Sequence, residues 1–233
     1  MPGKQYVIGD IHGAHKALLE CFEKASFDRD QDMLICLGDV CDGWPEVKKV
    51  FEELLTVRNL VYILGNHDKW ALDWFIHHDS PSIWTEQGGD ATIESYKGEK
   101  VPESHKKVLS EARLFYRLGN KVFVHGGLSP DIPLEEQGEK TFLWDRKLVY
   151  RAIELHEKKV IRCITGYDEV YVGHTPTINF GSLQPLKVCE VILMDTGAGW
   201  PGGVLTMMDI DSKGIVQSSP VDSLYPNYAG RGL

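Results

Sequence analysis

Tyr6-Val7-Ile8-Gly9-Asp10-Ile11-His12-Gly13 is the stretch that decides how this chain is read. An apolar run of strand length stops at a glycine, and two side chains able to bind a cation follow at once. Residues 5–9 therefore read as a strand. Residues 14–25, with Ala17, Leu18, Cys21, Phe22 and Ala25 at helical spacing, read as the helix after it. The unit then recurs. Residues 33–37 are a second apolar run ending in Gly38-Asp39, with a helix over 45–57 started by Pro45. Residues 60–64 are a third, ending in Gly65-Asn66-His67-Asp68, with a helix over 69–77. Three strand–loop–helix units in succession imply right-handed crossovers and a largely parallel sheet. Ligands of such sheets collect beyond the carboxyl ends of the strands, where all three polar motifs fall.

Residues 80–113 read as helical, packed through Trp84, the Gly88-Gly89 pair and Tyr96. Further strands are expected at 122–124 before His125-Gly126-Gly127, at 170–172 before Gly173-His174, at 191–194 before Asp195, and at 205–210. Residues 146–159 have the pattern of an amphipathic helix, and 220–233, rich in Pro, Gly and Ser, should wrap the surface. No repeat or linker divides the 233 residues, which read as one domain with a helical insertion at about 80–113.

A formal net charge of −9 and the lack of a basic run argue against nucleic-acid binding. An anionic substrate would then be drawn in by local charge, and bound cations are the obvious source. Nothing reads as a membrane span or secretory signal, so a cytoplasmic protein is expected, with no membrane partner. The five cysteines are odd in number and form no CxxC pair, which predicts reduced thiols. Cys41 reads as a small residue packed in a turn rather than as a ligand.

Asp10 and His12 stand two apart, a spacing that puts both on one face of an extended strand end. Asp39 ends the next strand with two oxygens available to bridge cations. Asn66 offers a carbonyl oxygen, and His125 and His174 offer imidazoles. An oxygen and nitrogen donor set without sulfur suits Mn²⁺, Fe or Zn²⁺ better than Ca²⁺ or Mg²⁺. Each motif alone is weak. GDIHG, GDVCDG, GNHD, HGG and GHT in order, each after a β-rich run, form a specific pattern.

That ordered set resembles the signature of the calcineurin-like metallophosphoesterases, and within them the phosphoprotein phosphatase family, especially its short bacterial and phage-type members. The resemblance runs from Gly9 through Asp195-Thr196-Gly197-Ala198-Gly199. It implies an α/β (α+β) fold, a central mixed β-sandwich flanked by helices, with a centre of two divalent ions at the strand ends. Asp10 and His12 would hold the first ion, Asp39 would bridge, and Asn66, His125 and His174 would hold the second, with Mn²⁺ expected first and Fe or Zn²⁺ as alternatives. The implied reaction is hydrolysis of phosphomonoesters, such as those of serine/threonine phosphoproteins, by ion-activated water without a covalent enzyme intermediate. His67 would be the general acid and Asp42 the carboxylate that holds its tautomer, while Asn66 would also touch the substrate.

Two departures bear on substrate. Related nucleases and cyclic-nucleotide esterases end in Gly-His-x-His, but here the motif is Gly173-His174-Thr175-Pro176, which favours monoesters; GNHD, where the phosphatases more often have GNHE, pulls mildly the other way. The phosphatases also place an arginine directly after the second aspartate, where this chain has Gly43 and Trp44. Arg146, in Leu143-Trp144-Asp145-Arg146, is the remaining candidate for binding phosphate, Lys69 reads as a solvated helix-face charge, and Trp44 could stack on a substrate ring. The expected partner is a phosphorylated substrate, whether phosphoprotein or small phosphate ester; oligomeric state is not legible. Alternatives are hydrolysis of nucleotides or dinucleoside polyphosphates, as in the similar diadenosine tetraphosphatases, and a non-catalytic binding module, which the intact ligand set argues against. Trp70, Trp74 and Phe75 read as core, His77-His78 as a surface helix end, and His15, His105 and His156 as solvated.

Overall fold

The computed structural model describes residues 3–160 and 163–231. In chain order the strands are β1 Gln5–Ile8, β2 Met33–Cys36, β3 Asn59–Tyr62, β4 Phe115–Leu118, β5 Lys121–Val124, β6 Glu169–Val172, β7 Leu186–Val188, β8 Val191–Leu193, β9 Thr206–Asp209 and β10 Ile215–Gln217. The helices are α1 His15–Ala25, α2 Val47–Leu54, α3 Asn66–His77, α4 Ser82–Trp84, α5 Asp90–Ser95, α6 Glu103–Ser110, α7 Glu139–Trp144, α8 Lys147–Glu157 and α9 Val221–Leu224. None of the described helices is long and apolar enough to cross a membrane.

The strands form two mixed sheets, in the orders β10-β9-β1-β2-β3 and β4-β5-β6-β8-β7. Each has a parallel centre. Val7 pairs with Ile35 and Ile35 with Val61 in the first sheet; Phe123 pairs with Tyr171 and Tyr171 with Ile192 in the second. Antiparallel strands close one edge of the first sheet and both edges of the second, while β3, the other edge of the first, runs parallel to β2. Successive side chains of a strand point to opposite faces, and this alternation builds three cores. Val7, Ile35, Phe123, Tyr171 and Ile192 fill the space between the sheets, where Phe123 stacks on Tyr171 at 4.6 Å. Tyr6, Ile8, Leu34 and Cys36 face outward onto Leu18 and Phe22 of α1 and Val50 and Phe51 of α2. Val122, Val124, Val170 and Val172 do the same against Phe142 of α7 and Leu148 and Val149 of α8. Burial on both faces explains why these strands read as unbroken apolar runs, and each large side chain contributes roughly 1.5–3 kcal/mol. The β-sandwich flanked by helices is as the resemblance implied.

Strands β4, β7 and β10 had no sequence signal, because all three lie at or near sheet edges and are partly exposed. Helix α3 starts at Asn66 rather than 69, because Asp68 accepts the Gly65 N–H at 3.2 Å and caps it three residues early. The helical stretch after residue 80 is broken at Gly88, whose φ of +100° no helix accommodates.

Trp44 and His105 lie elsewhere than their sequence context suggests. Trp44 cannot stack on a substrate: it is fully buried, its indole N–H donates to the Ala198 carbonyl at 2.7 Å, and its ring stacks on Tyr225 at 5.5 Å. His105 is not solvated but buried, stacked on Phe51 and hydrogen-bonded to the Tyr96 hydroxyl at 2.8 Å. The segment from 220 does run over the surface, as expected, through α9 and the buried Tyr225. It then returns to the strand ends, where the Arg231 N–H donates to the Gly199 carbonyl at 2.9 Å; residues 232 and 233 lie outside the described residues.

Candidate metal centre

All six side chains proposed as ligands converge beyond the carboxyl ends of β1, β2, β3, β5 and β6, and all are buried. The first sheet brings Asp10, His12, Asp39 and Asn66, and the second brings His125 and His174. Their donor atoms form two groups, Asp10–His12–Asp39 and Asp39–His125–His174, each with its atoms within 4.8 Å of one another. Asp39 belongs to both. The reason for Asp10 and His12 meeting differs from the expectation. β1 ends at Ile8, and both residues lie in the turn beyond it, where His12 adopts φ +49°. Asp39 (φ +48°), Asp42 (+73°) and His174 (+61°) share that left-handed conformation. A Cβ atom disfavours it by roughly 1–2 kcal/mol per residue, a strain that clusters at functional sites. Close approach is needed too: a Cβ on Gly65 would lie 2.1 Å from Asp39 Oδ1.

The imidazoles are oriented from behind. His12 Nδ1–H donates to the Cys41 carbonyl at 2.9 Å, and His125 Nδ1–H to the Leu37 carbonyl at 2.8 Å. Both Nε2 atoms are thereby left for the centre, the arrangement metal-binding histidines adopt. His12 Nε2 lies 4.0 Å from Asp10 Oδ2 and 3.9 Å from Asp39 Oδ2; His125 Nε2 lies 3.0 Å from Asn66 Oδ1 and 3.3 Å from Asp39 Oδ2. Among the described residues, His174 Nε2 is buried without a partner.

The electrostatics call for positive charge. Burial, and then the negative charges of Asp195 and Asp39, push the Asp10 carboxyl well above its usual range. Burial alone would depress His125, but the Asp39 carboxylate beside it prevails and its pKa rises to about 9. Buried carboxylates in mutual repulsion, imidazole nitrogens held facing them and an orphaned Nε2 together fit divalent cations.

Beside this centre His67 Nδ1 approaches Asp42 Oδ2 at 2.5 Å. Asp42 also accepts the Trp84 indole N–H at 2.8 Å and the Thr92 hydroxyl at 2.6 Å. Burial pushes Asp42 up, to about 8, against the pull of those two donors, and burial pushes His67 down to about 3. A cleft of about 600 Å³ opens next to His174, with Arg146, Pro176, Trp200 and Arg231 on its walls. The Arg146 guanidinium donates to the His174 carbonyl at 3.2 Å.

Residues 4–199 match the calcineurin-like phosphoesterase family. The chain belongs to that family. Serine/threonine-protein phosphatase 1 of Salmonella typhimurium is 27% identical over 88% of this chain and 91% of its own length. The symmetrical bis(5'-nucleosyl)-tetraphosphatase of Pseudomonas fluorescens is 25% identical over 89% and 91%. Among solved structures, a serine/threonine phosphatase from Saccharomyces cerevisiae superposes with a TM-score of 0.63 at 14% identity, covering 99% of this chain and 84% of that one.

In this phosphoesterase further residues that carry no sequence signal of their own join the site. Asp68, the last letter of GNHD, accepts the Val40 and Cys41 N–H groups at 2.9 and 3.1 Å and the Tyr62 hydroxyl at 3.0 Å, tying the second and third loops together. Asp195 lies buried near Asp10, and burial raises it to about 6. Trp84 and Thr92 come from the helical stretch whose role was not legible. Trp70, read as core, is half-buried with its edge on the His67 ring at 5.2 Å and on Trp144 at 5.0 Å. Lys69 is half-exposed and paired with Asp73 at 3.5 Å, as a solvated helix charge should be. His15 is partly buried near Glu53 at 3.9 Å, which corrects its reading as solvated. Cys41 is buried and packed, and among the described residues no disulfide joins the five cysteines.

Proposed function

We propose that this phosphoesterase is a dinuclear-metal phosphomonoesterase acting on phosphoproteins. Asp10 and His12 would hold one ion and Asn66, His125 and His174 the other, with Asp39 shared between them, Mn²⁺ being the first choice and Fe or Zn²⁺ the alternatives. When bound, the two ions supply acidified water and positive charge against the phosphoryl oxygens. The observation that carries this reading is the buried, unpartnered His174 Nε2 facing a shared carboxylate, Asp39, at the mouth of the cleft.

The chain's own residues do the rest. His12 and His125 are kept in one tautomer by backbone carbonyls, so their Nε2 lone pairs need no reorganisation. Arg146 is braced on the His174 carbonyl and grips the phosphoryl oxygens, and the Asn66 amide touches the same group. The Asp42–His67 pair delivers a proton to the leaving oxygen from Nε2, with the proton that burial keeps on Asp42 passing to Nδ1 as Nε2 gives up its own. Preference for monoesters is supported by Pro176, which lines the cleft where a further imidazole would otherwise add a ligand.

A second reading, dinucleoside polyphosphate hydrolysis, is favoured by one feature: the cleft wall formed by Ile178, Trp200 and Pro201, an apolar surface on which a base could rest. Metal-stripped protein should be assayed with an aryl phosphate, an aryl phosphodiester, a phosphopeptide and a dinucleoside tetraphosphate, adding Mn²⁺, Fe²⁺, Zn²⁺ or Mg²⁺ in turn. Turnover of the aryl phosphate and phosphopeptide supports the proposal. Preference for the tetraphosphate selects the second reading, and inactivity on every ester ends both.

A further inference from the structure

The residue after Asp42 is Gly43, and it leaves a slot that another part of the chain fills. A Cβ on Gly43 would meet Arg231 Cγ at 3.1 Å, and a Cβ on Gly199, across the slot, would meet Arg231 Cδ at 2.8 Å. The aliphatic stem of Arg231 therefore lies between two glycines whose missing side chains make room for it. Gly43 also has φ +87°, a conformation that side chains rarely adopt. The guanidinium emerges over the Trp200 ring, 4.9 Å from its centroid, on the wall of the cleft that Arg146 and His174 line.

What the guanidinium lacks is a strong partner. Nε and Nη2 reach the backbone and side-chain oxygens of Gln87 only at 3.4 Å, longer than a good hydrogen bond, and among the described residues Arg231 forms no carboxylate pair. Its backbone, by contrast, is anchored. The Arg231 N–H bonds the Gly199 carbonyl at 2.9 Å, and upstream Tyr225 donates its hydroxyl to Glu46 at 2.6 Å and accepts the Lys16 N–H at 2.9 Å. A cation held by its stem and backbone, with its fork open to a cleft, is built to meet an anion.

We propose that Arg231 is a second phosphate-binding arm, which with Arg146 grips the phosphoryl group of the substrate from the opposite side of the cleft. The inference deepens the phosphoesterase reading and rests on it. The segment 225–231 is then part of the active site rather than surface wrapping. Two guanidinium forks present paired donors to a dianion, and a monoester phosphate offers three unesterified oxygens to receive them.

Arg231→Met tests this best, because it keeps the stem in its slot and removes only the fork. The measurements are orthophosphate binding to the Mn²⁺-loaded protein by calorimetry, kinetics with an aryl phosphate, metal content and Tm. The expected result is a ~10–100-fold weaker phosphate Kd and a KM raised to match, the loss of one charge-assisted pair, with metal content and Tm unchanged. Arg231→Lys should recover only part of the loss, since an ammonium lacks the fork. Phosphate Kd and KM within twofold of wild type in Arg231→Met overturn the proposal, as does a loss of Tm or metal that accounts for the weakened binding. Wild-type protein that binds orthophosphate through Arg231 yet hydrolyses no ester leaves the arm standing and rejects the enzymatic reading instead.

Discussion

His67 and Asp42 are joined through Nδ1 and Oδ2 at 2.5 Å, both out of contact with solvent. Asp42 is itself held by the Trp84 and Thr92 donors, so the imidazole cannot turn without breaking its bond to an anchored carboxyl. Such a pairing keeps one nitrogen occupied and the other available for proton transfer. His67→Gln should lower kcat by ~10²–10⁴ while leaving metal content intact. The loss should shrink for aryl phosphates with acidic leaving groups, which need no proton. An equal loss across leaving groups would show that His67 acts otherwise.

Asp39 is common to both donor groups, whereas His12 and His174 serve one each. Protein loaded with Mn²⁺ and gel-filtered should carry two ions per chain. His12→Ala and His174→Ala should each retain about half the metal, and Asp39→Ala less than either. Loading should also stabilise the fold, by about 2.7 kcal/mol at a hundredfold excess over Kd. A Tm indifferent to every divalent ion contradicts the assignment.

Arg146 is tied to the backbone of His174, so its charge sits beside the centre at reduced entropic cost during binding. Arg146→Ala should lower kcat/KM by ~10²–10³, the usual loss for one donor that stabilises developing charge. Activity at the wild-type level would remove Arg146 from the site.

His105 gives the fold a pH dependence separate from the metal centre. Burial, with the Lys48 charge adding to it, pushes its pKa down to about 4 from an ordinary 6.5. In the unfolded chain the ring takes up its proton near 6.5, so between those values the unfolded state binds more protons. The stability His105 contributes is therefore whole above pH 6.5 and is lost as pH falls towards 4. Compared with His105→Gln, the wild-type Tm advantage should narrow between pH 7 and pH 5. A constant gap over that range would rule out the linkage.

Trp44 joins the loop after β2 to the segment that carries Arg231, through Tyr225 and the Ala198 carbonyl. Trp44→Ala should cost ~3–5 kcal/mol in chemical unfolding. A cost below about 1 kcal/mol would mean that the cavity collapses and the segment docks without it.

The parts of this molecule legible in its sequence are those governed by local periodicity and abrupt polarity changes. The central strands were visible because both faces are buried, and Asp10, Asp39, Asn66, His125 and His174 because each ends an apolar run at a glycine. The edge strands β4, β7 and β10, half wet, carry no such contrast, whereas the equally exposed edge strand β3 was legible because its apolar run ends in Gly65-Asn66-His67-Asp68. The meeting of Asp10 with His12 was foreseen, but for the wrong reason: a left-handed turn joins them, not strand alternation. Arg231, Trp84 and Thr92 were out of reach because their roles depend on long-range docking. Trp44 was misread for the same reason, since only the packed structure shows Tyr225 covering it.

The division of donors between the sheets has a practical consequence. Asp10, His12, Asp39 and Asn66 ride on one sheet, and His125 and His174 on the other, with the Phe123–Tyr171 layer between. The centre therefore gauges how the two sheets are seated against each other. A core substitution that slides them by a fraction of an ångström would register first as weakened metal retention, while circular dichroism still reported an intact protein. Metal affinity measured across a panel of such variants would read out, in effect, the mechanical alignment of the sandwich.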